Sequence, residues 1–138
     1  MKFKLTTDTK RWLGRTLYRI EALIDFGEVK AGQLGGFAEA EENLDQNGDA
    51  WVYGNARVTG NAQVSGDAWV SGKALVSGDA RVYGDAGVYG NARVYGDAEV
   101  YGKALVSGDA RVYGNARVYG NARVYGDADV SEIGRAHV

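Results

Sequence analysis

The chain has 138 residues, with 16 lysines and arginines against 18 aspartates and glutamates and a formal net charge of −2. This length fits one domain, and the near balance of charge gives no general indication of a nucleic-acid partner. The chain has no cysteine, no apolar run approaching the ~18 residues of a membrane span, and no signal-peptide core, so we expect neither disulfides nor membrane insertion.

Residues 1–45 differ in composition from the rest of the chain. Residues 2–5 alternate polar and apolar side chains as an edge strand does, and residues 6–9 are polar and turn-like. The apolar-rich run of residues 16–26 fits a strand or a short helix, and its Thr, Tyr and Ile content favours a strand. Residues 34–37 are predicted to form an irregular first coil.

Residues 46–131 are organised by a six-residue unit, which most copies write as G-[DN]-A-x-V-[YS]. Valine recurs without insertion at fourteen positions: 52, 58, 64, 70, 76, 82, 88, 94, 100, 106, 112, 118, 124 and 130. Ala and Val are expected to point to one side and x and Tyr or Ser to the other, as in a strand. Gly and Asp or Asn tolerate the positive φ of a tight corner, so each unit predicts a very short strand followed by a bend.

This fixed period predicts a solenoid, because one short strand cannot bury its apolar side alone. Three bends would close a triangular coil of eighteen residues, with Val and Ala inside and ~4.8 Å between stacked coils. An uncovered end would expose valine and unpaired backbone, so residues 1–45 are interpreted as an N-terminal cap. A disordered Gly-rich chain is the alternative, disfavoured by the regular Val and Tyr spacing.

The unit resembles the hexapeptide repeats of left-handed parallel β-helices in its valine, the alanine four residues later and the intervening corner. That resemblance implies an all-β, left-handed parallel β-helix, and the handedness comes from the family alone. Residues 14–23, 30–37 and 42–44 also resemble small β-helical proteins of bacteriophages and prophages. This second resemblance implies a phage-type source and a location in the bacterial cytoplasm or the virion.

Units eighteen residues apart should stack on one face of the coil. At the outward position before valine, the first face carries Trp51, Trp69, Gly87, Leu105 and Arg123. The second face carries Arg57, Leu75, Arg93, Arg111 and Asp129. The third face carries Gln63, Arg81, Glu99 and Arg117, whose alternating charges are expected to pair across rungs.

The first face is the preferred binding surface because its outward positions are apolar where the others are mostly charged or polar. Trp51 and Trp69 are expected to point outward on adjacent rungs, and exposed tryptophan is enriched at interaction hot spots. The interface candidates are Trp51, Trp69, Leu105, Tyr53 and Tyr89, with Gly87 leaving a notch. The partner is expected to be another protein or a second copy of the chain; the alternative is that the cap covers the tryptophans.

The second and third faces interleave arginine and tyrosine. Tyrosines should stack in ladders, with arginines lying across neighbouring rings. The secondary binding candidates are Arg93, Arg111, Tyr95 and Tyr113. A nucleic-acid platform is the alternative to a stabilised solvent-facing sheet, and it is not favoured because corner aspartates largely cancel the charge.

The acidic residues are predicted to bind no metal. Corner positions explain Asp79, Asp85, Asp97 and Asp109, which are spaced more widely than the acidic residues of a calcium-binding repeat. A second acidic cluster consists of Glu39, Glu41, Glu42 and Asp45. We interpret this cluster as a solvated face, with a binding patch as the alternative.

No enzyme activity and no cofactor are expected. Among left-handed β-helices, acyltransferases use a histidine base and carbonic anhydrases bind zinc through three histidines, whereas this chain has His137 alone and no cysteine. The sequence therefore favours a non-catalytic protein that docks rigidly on a host macromolecule, for example as an inhibitor of a defence complex. The alternatives are a structural module of a phage particle or surface polymer and, less favoured, an acyltransferase-like enzyme.

Residues 132–138 depart from the repeat. Residues 133–138 are what a common short-read sequencing adapter encodes, so we interpret this tail as an artefact of a metagenomic read. His137 is then expected to carry no function. A genuine short tail is the alternative.

Overall fold

The protein, described here from a computed structural model over residues 1–131, has β-strands as its regular elements apart from one short 3-10 helix. The tail of residues 132–138, with His137, lies outside the described residues. The N-terminal elements are β1 (Phe3–Trp12), β2 (Arg15–Ala22), β3 (Leu34–Ala38) and a short 3-10 helix (Glu41–Asn43). The repeat strands are β4 (Trp51–Val52), β5 (Arg57–Val58), β6 (Gln63–Val64), β7 (Trp69–Val70), β8 (Leu75–Val76), β9 (Arg81–Val82), β10 (Gly87–Val88), β11 (Arg93–Val94), β12 (Glu99–Val100), β13 (Leu105–Val106), β14 (Arg111–Val112), β15 (Arg117–Val118), β16 (Arg123–Val124) and β17 (Asp129–Val130).

Three parallel sheets form the sides of the solenoid. The first face is β4-β7-β10-β13-β16, and the third face is β6-β9-β12-β15. The second face is β3-β5-β8-β11-β14-β17, and the antiparallel strands β2 and β1 extend it to eight strands. Val88 pairs with Val106, eighteen residues later, and this spacing holds throughout the repeat. The all-β solenoid with coils of eighteen residues is confirmed; its left-handed sense stays a prediction.

The corners depend on glycine for two reasons. Gly90, one of the corner glycines, has a φ of 70°, a conformation that residues with a side chain rarely adopt. A Cβ added to Gly90 would also lie 3.0 Å from the backbone nitrogen of Gly108 in the next coil. The neighbouring Asn91 backbone N–H donates to the Gly108 carbonyl oxygen at 2.8 Å, so the ladder of hydrogen bonds continues around the bend.

The core is a column of alanine and valine inside the coils. From Ala50 to Val118, every inward-facing alanine and valine of the repeat is 0 % exposed. Burying a valine side chain contributes roughly 1.5–3 kcal/mol before entropic costs are counted. The assignment of Ala and Val to the inside of the coil is therefore confirmed.

The N-terminal strands form a hairpin that joins the second face. The strand predicted within residues 16–26 is confirmed as β2, but the turn predicted at residues 6–9 is wrong, because these residues lie within β1. Their register shifts between Leu5 and Thr9, and their polar side chains face solvent along an edge strand. The hairpin instead turns at Leu13 and Gly14, where φ is 48° and 76°.

The first coil is irregular, as expected. Phe37 of β3 pairs with Arg57 and Leu44 forms a bridge with Val64, so this coil is two residues longer than the others. The buried side chain of Asn43 stabilises the bend: its oxygen accepts from the Glu39 backbone N–H at 3.0 Å. Its amide nitrogen donates to backbone carbonyls of the next coil.

Trp51 belongs to the interior of the cap, which corrects its assignment as an exposed interface residue. It is 0 % exposed, and the rings of Phe3 and Phe26 approach it edge-on, with centroids at 6.3 and 5.3 Å. Buried Lys2 ties the same cap to the repeat, since its Nζ donates to the Ala50 carbonyl oxygen at 2.8 Å. Burial lowers the pKa of the Lys2 ammonium, while nearby aspartates, Asp45 first, oppose this shift.

The two tryptophans of the first face should therefore differ in their effect on stability. Trp51→Ala is expected to lower the free energy of unfolding by about 3–5 kcal/mol, because it empties a buried aromatic site. Trp69→Ala, the matched control eighteen residues later, should cost less than about 2 kcal/mol, because its ring is partly exposed. Urea denaturation of both variants measures the difference, and equal losses would contradict the packing described for the cap.

Candidate binding surfaces

On the first face, the indole of Trp69 lies flat across the next rung. A Cβ added at Gly87 would overlap the Trp69 ring, so the notch predicted at Gly87 is filled by that ring. Trp69 also stacks on Tyr89, with centroids 5.3 Å apart and planes inclined by 23°. The pair presents a rigid, partly exposed aromatic surface outside the coil.

A shallow depression of about 480 Å³ continues this surface toward the last coils, lined by Tyr89, Leu105, Ser107, Arg123 and Tyr125. We refer to Trp69, Tyr89, Leu105 and Tyr125 together as the apolar strip. Tyr125 is 52 % exposed and was not among the predicted interface residues. The eighteen-residue period could have identified it, because Tyr125 stands in the same outward column as Tyr89.

The remaining first-face candidates lie with the cap. Tyr53 is partly buried and packs against the hydrophobic core. Burial raises the pKa of the Tyr53 hydroxyl, and the charge of Glu28 in the cap raises it further. The structure therefore brings Trp69, Tyr89 and Leu105 together and separates Trp51 and Tyr53 from them.

The second face carries a groove of about 540 Å³, which we call the basic groove, lined by Arg57, Lys73, Asn91, Arg93, Asp109 and Arg111. Arg93 and Arg111 stand on adjacent paired strands. Arg57 lies against the ring of Trp12 from the cap hairpin, at 5.3 Å from its centroid. Burial lowers the pKa of the Arg57 guanidinium, and the charge of Arg93 lowers it further.

The predicted tyrosine ladders are confirmed. Tyr95 and Tyr113 stack beside the basic groove at 5.1 Å with planes inclined by 7°. On the third face, Tyr101 stacks on Tyr83 at 5.0 Å and on Tyr119 at 5.4 Å. The rings stack face to face between coils, so each ring has at least one face covered by another ring.

Two predicted roles of the repeat arginines are wrong. Within residues 1–131, the only arginine of the repeat that lies over an aromatic ring is Arg57, and its partner is Trp12 rather than a tyrosine. In the same range no ion pair joins Glu99 to its neighbours Arg81 and Arg117. Glu99 instead accepts a hydrogen bond from the Tyr83 hydroxyl at 3.2 Å, as the stacked ring brings that hydroxyl within reach. Burial and then the Glu99 charge raise the pKa of Tyr83.

The acidic cluster of the first coil separates into two parts. Glu39 holds the cap hairpin: it accepts from the Gly60 backbone N–H at 2.7 Å and from Arg15 at 2.8 Å. The Gly60 bond is the main cause of the lowered pKa of Glu39, and Arg15 adds to it. The other three acids, Glu41, Glu42 and Asp45, line a depression of about 390 Å³ over Leu44.

The corner residues make a separate set of contacts along the coils. Asp79 accepts from the Asn61 amide at 3.2 Å, and Asp109 accepts from the Asn91 amide at 3.3 Å. Each bond joins corner positions of successive coils. No group of three or more His, Cys, Asp or Glu residues suited to hold a metal ion occurs within residues 1–131.

The repeat itself identifies the family. A family model described as the YdcK β-solenoid repeat matches residues 50–66, 62–78, 74–90, 86–102, 110–126 and 116–132, which together cover more than half of the chain. The chain belongs to the YdcK β-solenoid repeat family. This membership agrees with the solenoid fold, and the matched segments begin after the cap. No curated protein matches the sequence significantly.

No helix within residues 1–131 is long and apolar enough to cross a membrane.

Gly87→Ala tests how the apolar strip is built. The φ of Gly87 is outside the left-handed region, so alanine does not strain the backbone there. The three atoms nearest to the added methyl all belong to the Trp69 ring, which it should displace. We expect the coil to stay folded, while Trp69 loses its stacking on Tyr89 and its fluorescence emission shifts to the red. Repeating Gly87→Ala in a Trp69→Phe background gives the control, in which no such shift should appear. An unchanged emission spectrum in the single variant would contradict the described position of the indole.

Proposed function

We propose that the protein is a non-catalytic binding protein that docks rigidly on a macromolecular partner through the apolar strip. The observation that carries this proposal is the Trp69–Tyr89 stack, which lies outside the coil and is left partly exposed. Aromatic side chains of this kind provide large contact area at interaction hot spots. Tyr125 and Leu105 extend the same surface over the following coils.

The contrast between the two tryptophans supports this assignment. Trp51 and Trp69 are direct neighbours on paired strands, yet the first is completely buried under the cap and the second is partly exposed. The core of each coil is filled by alanine and valine, so the fold does not need a ring at position 69. An aromatic residue that the fold does not need points to a role at the surface.

The rigidity of the scaffold suits docking without rearrangement. Each rung is held by backbone hydrogen bonds to the next, such as Tyr89 N–H to the Val106 carbonyl oxygen at 2.9 Å. Outward side chains are therefore presented at fixed intervals of ~4.8 Å along the axis. Preformed surfaces of this kind lose little conformational entropy on binding.

The resemblance to small phage and prophage β-helical proteins supports a bacterial host macromolecule as the partner, and inhibition of a host defence complex as the outcome of binding. The place of action would then be the host cytoplasm. The single histidine and the lack of cysteine support a non-catalytic role. A structural role remains the competing hypothesis, in which the apolar strip joins copies of the chain side by side.

The double variant Trp69→Ser/Leu105→Ser should weaken partner binding by at least about tenfold while the fold stays intact, since neither side chain fills the coil interior. Arg81→Ser/Arg117→Ser on the exposed third face is the matched control. Immobilised wild-type protein and both variants are incubated with bacterial lysate, and retained proteins are compared. The mass of each free protein is measured by light scattering.

We expect the wild type and the control to retain the same partner. The apolar-strip variant should retain at least about tenfold less of it. A wild-type oligomer that the apolar-strip variant reduces to a monomer would support the structural role instead. Equal retention by all three proteins, with unchanged masses, would contradict a binding role for the strip.

A further inference from the structure

The basic groove begins where the apolar strip ends. Along one coil, Tyr89 of the strip is followed by the corner at Gly90 and then by Asn91 and Arg93 of the groove. The two surfaces thus share one edge of the triangular solenoid, and a partner seated on the strip would extend over the groove. Charged contacts at the rim of an apolar contact are typical of protein interfaces.

The groove concentrates positive charge in a chain whose net charge is −2. It holds four cations, Arg57, Lys73, Arg93 and Arg111, against one carboxylate, Asp109, with Asp129 on the rung beyond. Within residues 1–131 none of the four cations forms an ion pair. The side chains of Arg93, Arg111 and Lys73 likewise make no hydrogen bond to that part of the chain.

The fold requires neither the lysine at position 73 nor the pairing of Arg93 with Arg111. Position 73 is a corner, where most copies of the unit have Asp or Asn, and a lysine there reverses the charge. Arg93 and Arg111 are exposed and occupy adjacent rungs, so their like charges lie side by side at ~4.8 Å rung spacing. An anionic ligand bound between Lys73 and the two arginines would relieve this repulsion.

We propose that the basic groove binds an acidic protein segment, whose carboxylates are held by Arg93 and Arg111 with Lys73 at the corner. Guanidinium groups bind carboxylates through two parallel hydrogen bonds, which favours arginine over lysine on the flat face. This inference rests on the proposed function, because it names the chemistry of a partner that also contacts the apolar strip. The groove would accelerate association by electrostatic attraction, and the strip would slow dissociation.

An acidic protein segment fits the surroundings better than a single-stranded nucleic acid. Bases would need free aromatic faces near the groove, but Tyr95 and Tyr113 turn one face each to one another, with centroids 5.1 Å apart, so no base can insert between them. From Arg57 to Arg111 the groove covers three rung spacings, or about 14 Å, which is short for a strand held by its phosphates. The adjoining apolar strip also offers contacts that a protein uses.

The test is direct binding of a fluorescein-labelled decapeptide of alternating Glu and Ser, measured by fluorescence anisotropy at low and physiological salt. Two further ligands are measured for comparison: the same peptide with Gln in place of Glu, and a ten-nucleotide oligothymidine with the same label. The proteins are wild type, Arg93→Gln/Arg111→Gln, and the matched control Arg81→Gln/Arg117→Gln on the third face. Trp69→Ser/Leu105→Ser is included to separate the groove from the strip.

We expect the Glu peptide to bind the wild type, with an affinity that falls as the salt concentration rises. Only the groove variant should bind it at least about tenfold more weakly than the wild type. The apolar-strip variant should bind this short peptide as the wild type does, so failure of the proposed function would leave this result unchanged. Equal losses in the groove variant and the third-face control would overturn the proposal, as would the lack of binding by the Glu peptide. Tighter binding of the oligothymidine than of the peptide, lost in the groove variant, would overturn the assignment to a protein segment.

Discussion

The structure depends on one constraint, the return of the backbone to a corner every six residues. Each corner has a glycine with positive φ, and from Gly60 to Gly108 this glycine lies so close to the glycine of the next coil that a side chain would strain both backbones. The corner fixes which residues turn inward, so Ala92 and Val94 are buried and Arg93 is not. Neither the core nor the outer faces could form if this spacing slipped, because a shift of one residue exchanges the inside and the outside of a strand.

Two periods therefore act at different levels of the molecule. The six-residue period determines the fold, because it places alanine and valine inside. The eighteen-residue period determines the surface, because it decides which outward side chains become neighbours. Trp69 meets Tyr89 across Gly87, and Arg93 stands beside Arg111. Both contacts form only because the six-residue units that carry these residues are one whole coil apart. The surface can thus diversify while the core stays constant.

The periodic part of the fold could be predicted from the sequence, since position in the unit dictates burial, as at Val94, and the tyrosine ladder of Tyr95 and Tyr113 followed from the same spacing. The burial of Trp51 under the cap was only the alternative to an exposed position, because it results from long-range packing of Phe3 and Phe26 onto the first coil. The charged ladders were mispredicted for a related reason. Tyrosine stacking brings a hydroxyl to Glu99, and the cap brings Trp12 to Arg57, so local alternation of charge does not decide the contacts.

Insertions between Tyr95 and Gly96, away from the cap, test most directly whether the six-residue spacing governs the fold. Three variants carry one extra glycine, one extra six-residue unit (Gly-Asn-Ala-Gln-Val-Ser) or a full coil of three such units. Their thermal unfolding is followed by circular dichroism. We expect the six- and eighteen-residue insertions to unfold cooperatively near the wild-type temperature. The single glycine should remove or strongly lower the transition, because it turns the following valines outward. A one-residue insertion as stable as the six-residue insertion would contradict it.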